Sequence, residues 1–262
     1  MSTTTHALNT FQCIMVTTDQ GGPDNGMEPD IQAYTSVMEE IRRRTTLVSA
    51  LFSNQVTVMY KATQVESMVL QVRMITELIA LASLAANKEI FEENQRKFEK
   101  HWHPSKILKD VEGLNPSFYP KPILEVPSST AGVKRDLVAV TTGFMARDEL
   151  IEVHGRCGSA LHAQNPYGKA RDYGAYENMI PTWMERIMRL LNCHQIRLLD
   201  SERLYVVHMK EPQDDRVHMY TFERVRASRH DLWKICGSSE DVMSTGPCKP
   251  TIPMYPMSCG IG

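Results

Sequence analysis

No C-x-x-C pair occurs in this chain. Its six cysteines (Cys13, Cys157, Cys193, Cys236, Cys248 and Cys259) are scattered, which predicts neither a zinc ribbon nor a disulfide framework. The most apolar stretch, Ile75 to Ala86, contains Thr76 and Glu77 and is too short to span a bilayer. Met1 to Asn25 shows no basic segment followed by an apolar core, so no secretory signal is read. Charge of neither sign dominates: the formal net charge is -2. That argues against a globally basic nucleic-acid binder while leaving room for a local basic cleft. The P-loop, the dinucleotide fingerprint, the EF-hand loop and the zincin motif are all missing, which disfavours ATP-driven and flavin chemistry. The expectation is a cytoplasmic protein with no membrane span, cofactor or metal.

What is present is ordinary globular composition, 42% hydrophobic and 23% charged over 262 residues, enough chain to bury a real core. Residues 1–29, rich in Thr, Gly, Asp and Pro, read as a flexible arm, with Phe11 to Val16 as a candidate short strand. Residues 30–193 read as a helical bundle. Asp30 is a capping residue, and Val37, Ile41, Val48, Leu51 and Phe52 recur at helical spacing. Glu66 to Ala86 carries a wide apolar face, Glu89 to His101 a charged helix, and Pro104 to Gly113 a short one. Asn115 to Pro122 contains three prolines and predicts irregular structure, leading into a loop that ends near Lys134. Helical patterning returns over Ala146 to Ala163 and over Tyr173 to Asn192, the latter broken or restarted at Pro181. Residues 194–232 alternate in part around the turn Glu211-Pro212-Gln213-Asp214-Asp215 and predict an antiparallel hairpin or meander. Residues 233–262 form a Gly-, Pro-, Ser- and Cys-rich tail. The fold class predicted is mainly α with a small β appendage, α+β overall.

Candidate chemistry centres on Arg156 and His162, six residues apart and followed by Asn165-Pro166-Tyr167-Gly168. An imidazole moves a proton near neutral pH, and a guanidinium holds a phosphate through two parallel hydrogen bonds. On one straight helix six steps leave the two side chains roughly 120° apart. Convergence therefore needs Arg156 at a helix start, or a dimer bringing two copies to one cleft. The plainer reading is a capping contact and a satisfied core histidine. Arg73 and Glu77, four apart on a helix, are candidates to orient the pair; their plainer reading is an intrahelical ion pair. Ser159 is within reach of His162, but no nucleophile elbow surrounds it. Tyr167 is a turn residue that is also suited to stacking on a base. His154 lies on nearly the same face as His162, a weak two-ligand metal pattern. His101-Trp102-His103 reads as an aromatic anchor between polar histidines. In the β segment, Arg197, Arg203, Arg216, Arg224, Arg226 and Arg229 interleave with His208, His218, Tyr205, Tyr220 and Phe222. Intervening acids make a mixed solvated face the simpler interpretation of that segment.

Two stretches together resemble a known superfamily. Gln64 to Ala80 is similar to the long second helix of HEPN (higher eukaryotes and prokaryotes nucleotide-binding) proteins. The Arg156-to-His162 segment is similar to their hallmark, an arginine and a histidine four to six residues apart. Asn115 to Pro122 also resembles segments of uncharacterised bacterial proteins of this kind. The resemblance covers roughly residues 35–193. It implies a helical bundle that dimerises across a cleft. It also implies a metal-independent endoribonuclease of a toxin, abortive-infection or antiviral system, with RNA as substrate and an antitoxin or other defence protein as partner. Arg156 and His162 would be its motif pair. The chain departs from the pattern at Cys157, where active members often carry a polar residue. The alternative is a catalytically inactive interaction module that binds a partner protein or nucleic acid.

Overall fold

A computed structural model describes residues 29–85, 104–129, 135–197 and 204–222. Residues 1–28 of the N-terminal arm, the Glu89-to-His101 helix, the His101-Trp102-His103 run and the C-terminal tail lie outside the described residues, as do Arg203, Arg224, Arg226 and Arg229; the arm's last residue, Pro29, instead begins a helix.

Helix α1 (Pro29–Phe52) and helix α2 (Lys61–Ala85) form an antiparallel hairpin. Arg44 donates to Gln71 at 2.7 Å, and near the turn Gln64 donates to the Leu51 carbonyl at 2.6 Å. Helix α2 is apolar around most of its circumference, which suits a core helix. Val65, Met68, Val69, Val72, Ile75, Thr76, Ile79, Ala80, Ala82 and Ser83 are all buried. By length and composition α2 is also apolar enough to cross a membrane. In this fold it is instead the central strut, packed against α1, α3 (Pro104–Leu114), α4 (Arg147–Leu161) and α5 (Tyr173–Leu191). Its buried hydroxyls are satisfied locally, Thr76 by the Arg73 carbonyl and Ser83 by that of Ile79, so burial leaves no unpaired group there.

Pro104 opens α3, where a missing N–H costs nothing, and Ile107, Leu108 and Val111 turn inward. Asp148 and Glu149 occupy the first turn of α4, as the helix dipole favours. Asp172 caps α5 by accepting from the Ala175 N–H at 3.0 Å. The break expected at Pro181 does not occur: α5 runs straight through it. An interior proline costs about 3 kcal/mol. Burial of Ile180, Trp183, Ile187, Leu190 and Leu191 along one face offsets that cost.

The sheet is larger than the sequence suggested. Five antiparallel strands run in the order β2-β1-β3-β4-β5: β1 (Lys121–Pro127), β2 (Arg135–Ala139), β3 (Cys193–Ile196), β4 (Leu204–His208) and β5 (His218–Phe222). Irregular structure ends at Pro120, and the region read as a loop toward Lys134 begins with a strand. Pro122 and Pro127 are tolerated because they stand near the two ends of β1. The expected turn at Glu211 to Asp215 does join β4 to β5.

Alternation divides the sheet. Ile196, Tyr205, Val207, Met209 and Val217 join the helical core. Ile123, Val206 and Phe222 form a separate small cluster on the other face, with Leu137, Leu204 and Tyr220 packed against it. His194 is fully buried between the layers. Its Nδ1–H donates to the Leu191 carbonyl and its Nε2 accepts from the Tyr34 hydroxyl, each at 2.7 Å. Both ring nitrogens are satisfied by a neutral imidazole, which ties α1 and α5 to β3.

Candidate functional site

Helix α4 carries Arg156 in its interior and ends at Leu161, so His162 is the C-cap residue with extended backbone (φ -74°, ψ 147°). Arg156 is therefore not at a helix start. Its guanidinium is half exposed and paired with Glu152, the residue one turn earlier, at 2.7 Å. It also donates to Met179 Sδ at 3.5 Å. The His162 side chain is exposed. Among the described residues no hydrogen bond or ion pair joins Arg156 to His162.

The segment after α4 is held from beneath by a residue that the sequence did not flag. Arg171 is largely buried and donates to the His162 carbonyl at 2.5 Å and to the Ser159 carbonyl at 3.4 Å. It also meets Glu66 of α2 at 3.4 Å. Tyr173 donates to the same carboxylate at 2.6 Å, and the Arg171 guanidinium lies 5.8 Å from its ring centre. Asn165 completes the frame: its side chain accepts from the Tyr167 N–H at 3.0 Å, and its carbonyl from the Gly168 N–H at 2.9 Å. The loop is thus pinned by its backbone while Tyr167, 98% exposed, projects freely. Ser159 donates back to the Gly155 carbonyl at 3.2 Å, not to His162.

Arg73 and Glu77 form their expected ion pair at 3.1 Å. The histidine they meet is His154: Glu77 accepts from its buried Nε2 at 3.0 Å. A Cβ on Gly158 would stand 2.7 Å from Arg73 Nη1, so the absent side chain is what lets that guanidinium lie against α4. Cys157 faces the same interior. Burial, only partly countered by Arg73, pushes its thiol up to about 12, which leaves it protonated and unreactive near neutral pH. Cys157 thus points into the core and away from the exposed face of α4.

Elsewhere among the described residues, the ligand atoms of Glu125, Cys193 and His208 on the sheet come within 4.8 Å of one another. Glu125 and Cys193 carried no signal in the sequence, and His208 stood out only as part of a basic and aromatic run.

No family model, curated protein or solved structure matches the chain.

Proposed function

We propose that the chain is a HEPN-like, metal-independent endoribonuclease that works as a homodimer, with Arg156 and His162 as its chemical pair. The observation that carries this reading is the pinned loop. Arg171 fixes the His162 backbone, while the His162 and Tyr167 side chains are left to solvent. A helix end built only for packing has little use for such an arrangement, whereas a site for an external substrate needs its side chains pre-positioned and accessible.

In the mechanism, an RNA 2′-hydroxyl attacks its neighbouring phosphate as His162 takes its proton, and His162 then delivers that proton to the 5′-oxygen as its bond to phosphorus breaks. Arg156 releases Glu152 and takes the phosphate oxygens through charge-assisted hydrogen bonds. Tyr167 offers a stacking platform for a base. The 5′-hydroxyl departs, and a 2′,3′-cyclic phosphate remains. Within one chain the two side chains leave α4 in different directions, so a composite site uses Arg156 of one copy and His162 of the other. Cytoplasmic RNA, as in a bacterial or phage-related defence or growth-arrest system with a protein antitoxin, is the matching setting.

The test compares wild type, Arg156→Ala and His162→Ala on labelled RNA with a chelator present, each variant shown to be folded. Wild type alone should cleave, and mixing the two inactive variants should restore part of the activity by forming mixed dimers. Cleavage that survives His162→Ala sinks the reading. A second reading, a non-catalytic interaction module, is favoured by the apolar side chains exposed around the α1–α2 turn, Phe52, Val56, Met59 and Tyr60. It predicts a stable complex that is indifferent to His162.

A further inference from the structure

The sheet face turned away from the helices carries a second chemical grouping, built by strand register. Cys193 of β3 is directly paired with His208 of β4. On the other side of β3, Pro122 of β1 pairs with His194, and three residues further along β1 comes Glu125. Its Oε1 lies 3.0 Å from His208 Nε2. The oxygen, sulfur and nitrogen ligand atoms of these three residues all fall within 4.8 Å of one another. The site is sheltered: the Glu125 and His208 side chains are only 15% and 21% exposed.

We propose that Glu125, Cys193 and His208 form a three-ligand site for a zinc-like divalent transition cation, with Glu211 as the residue that positions the imidazole.

Three features of the geometry carry this. First, a zinc ion with ligands at about 2.0–2.3 Å keeps its donors roughly 3.3–3.8 Å apart. Glu125 Oε1 and His208 Nε2, 3.0 Å apart, need to open slightly, and the other pairs, within 4.8 Å, to close by at most about 1.5 Å, shifts of the size side-chain rotation supplies. Second, the far nitrogen is already engaged: His208 Nδ1 hydrogen-bonds the carboxylate of buried Glu211. Tyr220 in turn donates to that carboxylate at 2.9 Å. A carboxylate on the outer nitrogen is the usual support for a metal-bound histidine, and it aims Nε2 at the ion. Third, the donor set is discriminating. Thiolate with imidazole suits Zn(II) or Co(II), whereas Mg(II) and Ca(II) favour all-oxygen shells.

On binding, His208 coordinates through Nε2 and Cys193 as the thiolate, and any protons those two atoms carry leave to solvent. Three protein ligands leave a fourth position for water or an external anion. The ligands come from β1, β3 and β4, so the ion also fastens three adjacent strands. This proposal is independent of the nuclease reading, because none of its residues belongs to α4 or to the loop that follows it.

The experiment is titration of the metal-free full chain, thiols kept reduced, with Co(II), followed by displacement with Zn(II). One equivalent per chain should give visible d–d bands and a thiolate-to-cobalt charge-transfer band, both abolished by Zn(II) and untouched by excess Mg(II). Cys193→Ser should remove the charge-transfer band. Glu211→Gln should leave the spectrum in place but weaken binding by about 10–100-fold. Circular dichroism checks that each variant folds, and Glu125→Gln gives an independent ligand test, with at least a tenfold loss expected should the serine variant misfold. A charge-transfer band that persists in Cys193→Ser, or no cobalt spectrum in wild type, overturns the proposal.

Discussion

His194 should make the protein acid-sensitive in a window where its carboxylates do not. Burial, reinforced by the nearby His208 charge and only partly opposed by the Leu191 hydrogen bond, lowers this imidazole from 6.5 to about 4. The unfolded chain then binds a proton that the folded chain refuses, so stability rises with pH across that interval and falls as pH drops through it. From these two values the loss is about 2 kcal/mol at about pH 5 and approaches about 3 kcal/mol below about pH 4. That is a large part of the 5–15 kcal/mol that holds a typical domain together.

Other groups titrate differently and can be separated. Hydrogen bonding to His208 holds Glu125 below its ordinary value. Asp214 and Asp215 are lowered in turn by His218 and Lys210. Their stabilisation is lost only as pH falls through those depressed values. Burial alone would lower His208, but Cys193 and Glu125 more than reverse it and raise it to about 11. Its contribution is therefore complete throughout the acid window and fades only on the alkaline side. The assay is urea unfolding of wild type and His194→Gln from about pH 7.5 to about pH 4.5, with midpoints compared at constant m-value. Glutamine cannot take the proton, so the difference between the two proteins should shrink or reverse as pH falls. Parallel profiles would falsify the neutral, doubly bonded imidazole.

Two glycines in one helix should respond differently. Nothing lies within 4 Å of a Cβ placed on Gly155, so Gly155→Ala should gain roughly 0.5–1 kcal/mol of helix stability. Gly158→Ala should fall short of that gain in the same thermal melts, because its Cβ would displace Arg73 from Glu77. Arg171→Ala should cost about 2 kcal/mol, the scale of hydrogen bonds to a charged group, and speed protease cleavage between Asn165 and Lys169. Unchanged cleavage would mean the loop is ordered by something else. On the nuclease reading, Glu152→Gln frees Arg156 and should tighten binding of a non-cleavable RNA at low salt; weaker binding would count against a phosphate role for Arg156.

Much of the helical layer was legible because its signals are local. The spacing of Val65, Met68, Val69, Val72, Ile75 and Ile79 writes α2 directly, and Pro104 marks the start of α3. Strands β1 and β2 were hidden because their stability is not local. Pro122 and Pro127 look like strand breakers, and only the pairing of Glu125 with Leu137 and its neighbours reveals a ladder. At the candidate nuclease site the exposed residues could be found by spacing, yet Arg171 could not. Its partners, Glu66 and His162, belong to different elements and meet only once α2 and α4 are packed.

The sheet grouping was harder still, and the reason is physical. In Cys193-His194-Gln195-Ile196 the buried positions are His194 and Ile196, so a polar residue holds an inward place and the alternation that marks a half-buried strand is blurred. In β4 the inward positions are Tyr205 and Val207, which join the helical core. Antiparallel pairing of β3 with β4 must match inward residues with inward ones, as His194 with Val207 and Ile196 with Tyr205. A slip of one residue would oppose Cys193 to Val207 or Met209 and turn core side chains toward the wrong face. The apolar core thus selects the register, and that register sets Cys193 beside His208 on the face away from the helices. Glu125, 83 residues from His208 in the chain, reaches them only because β1 pairs with the other edge of β3. The polar grouping is a consequence of how the opposite face packs, and no pattern around any one of its residues encodes it.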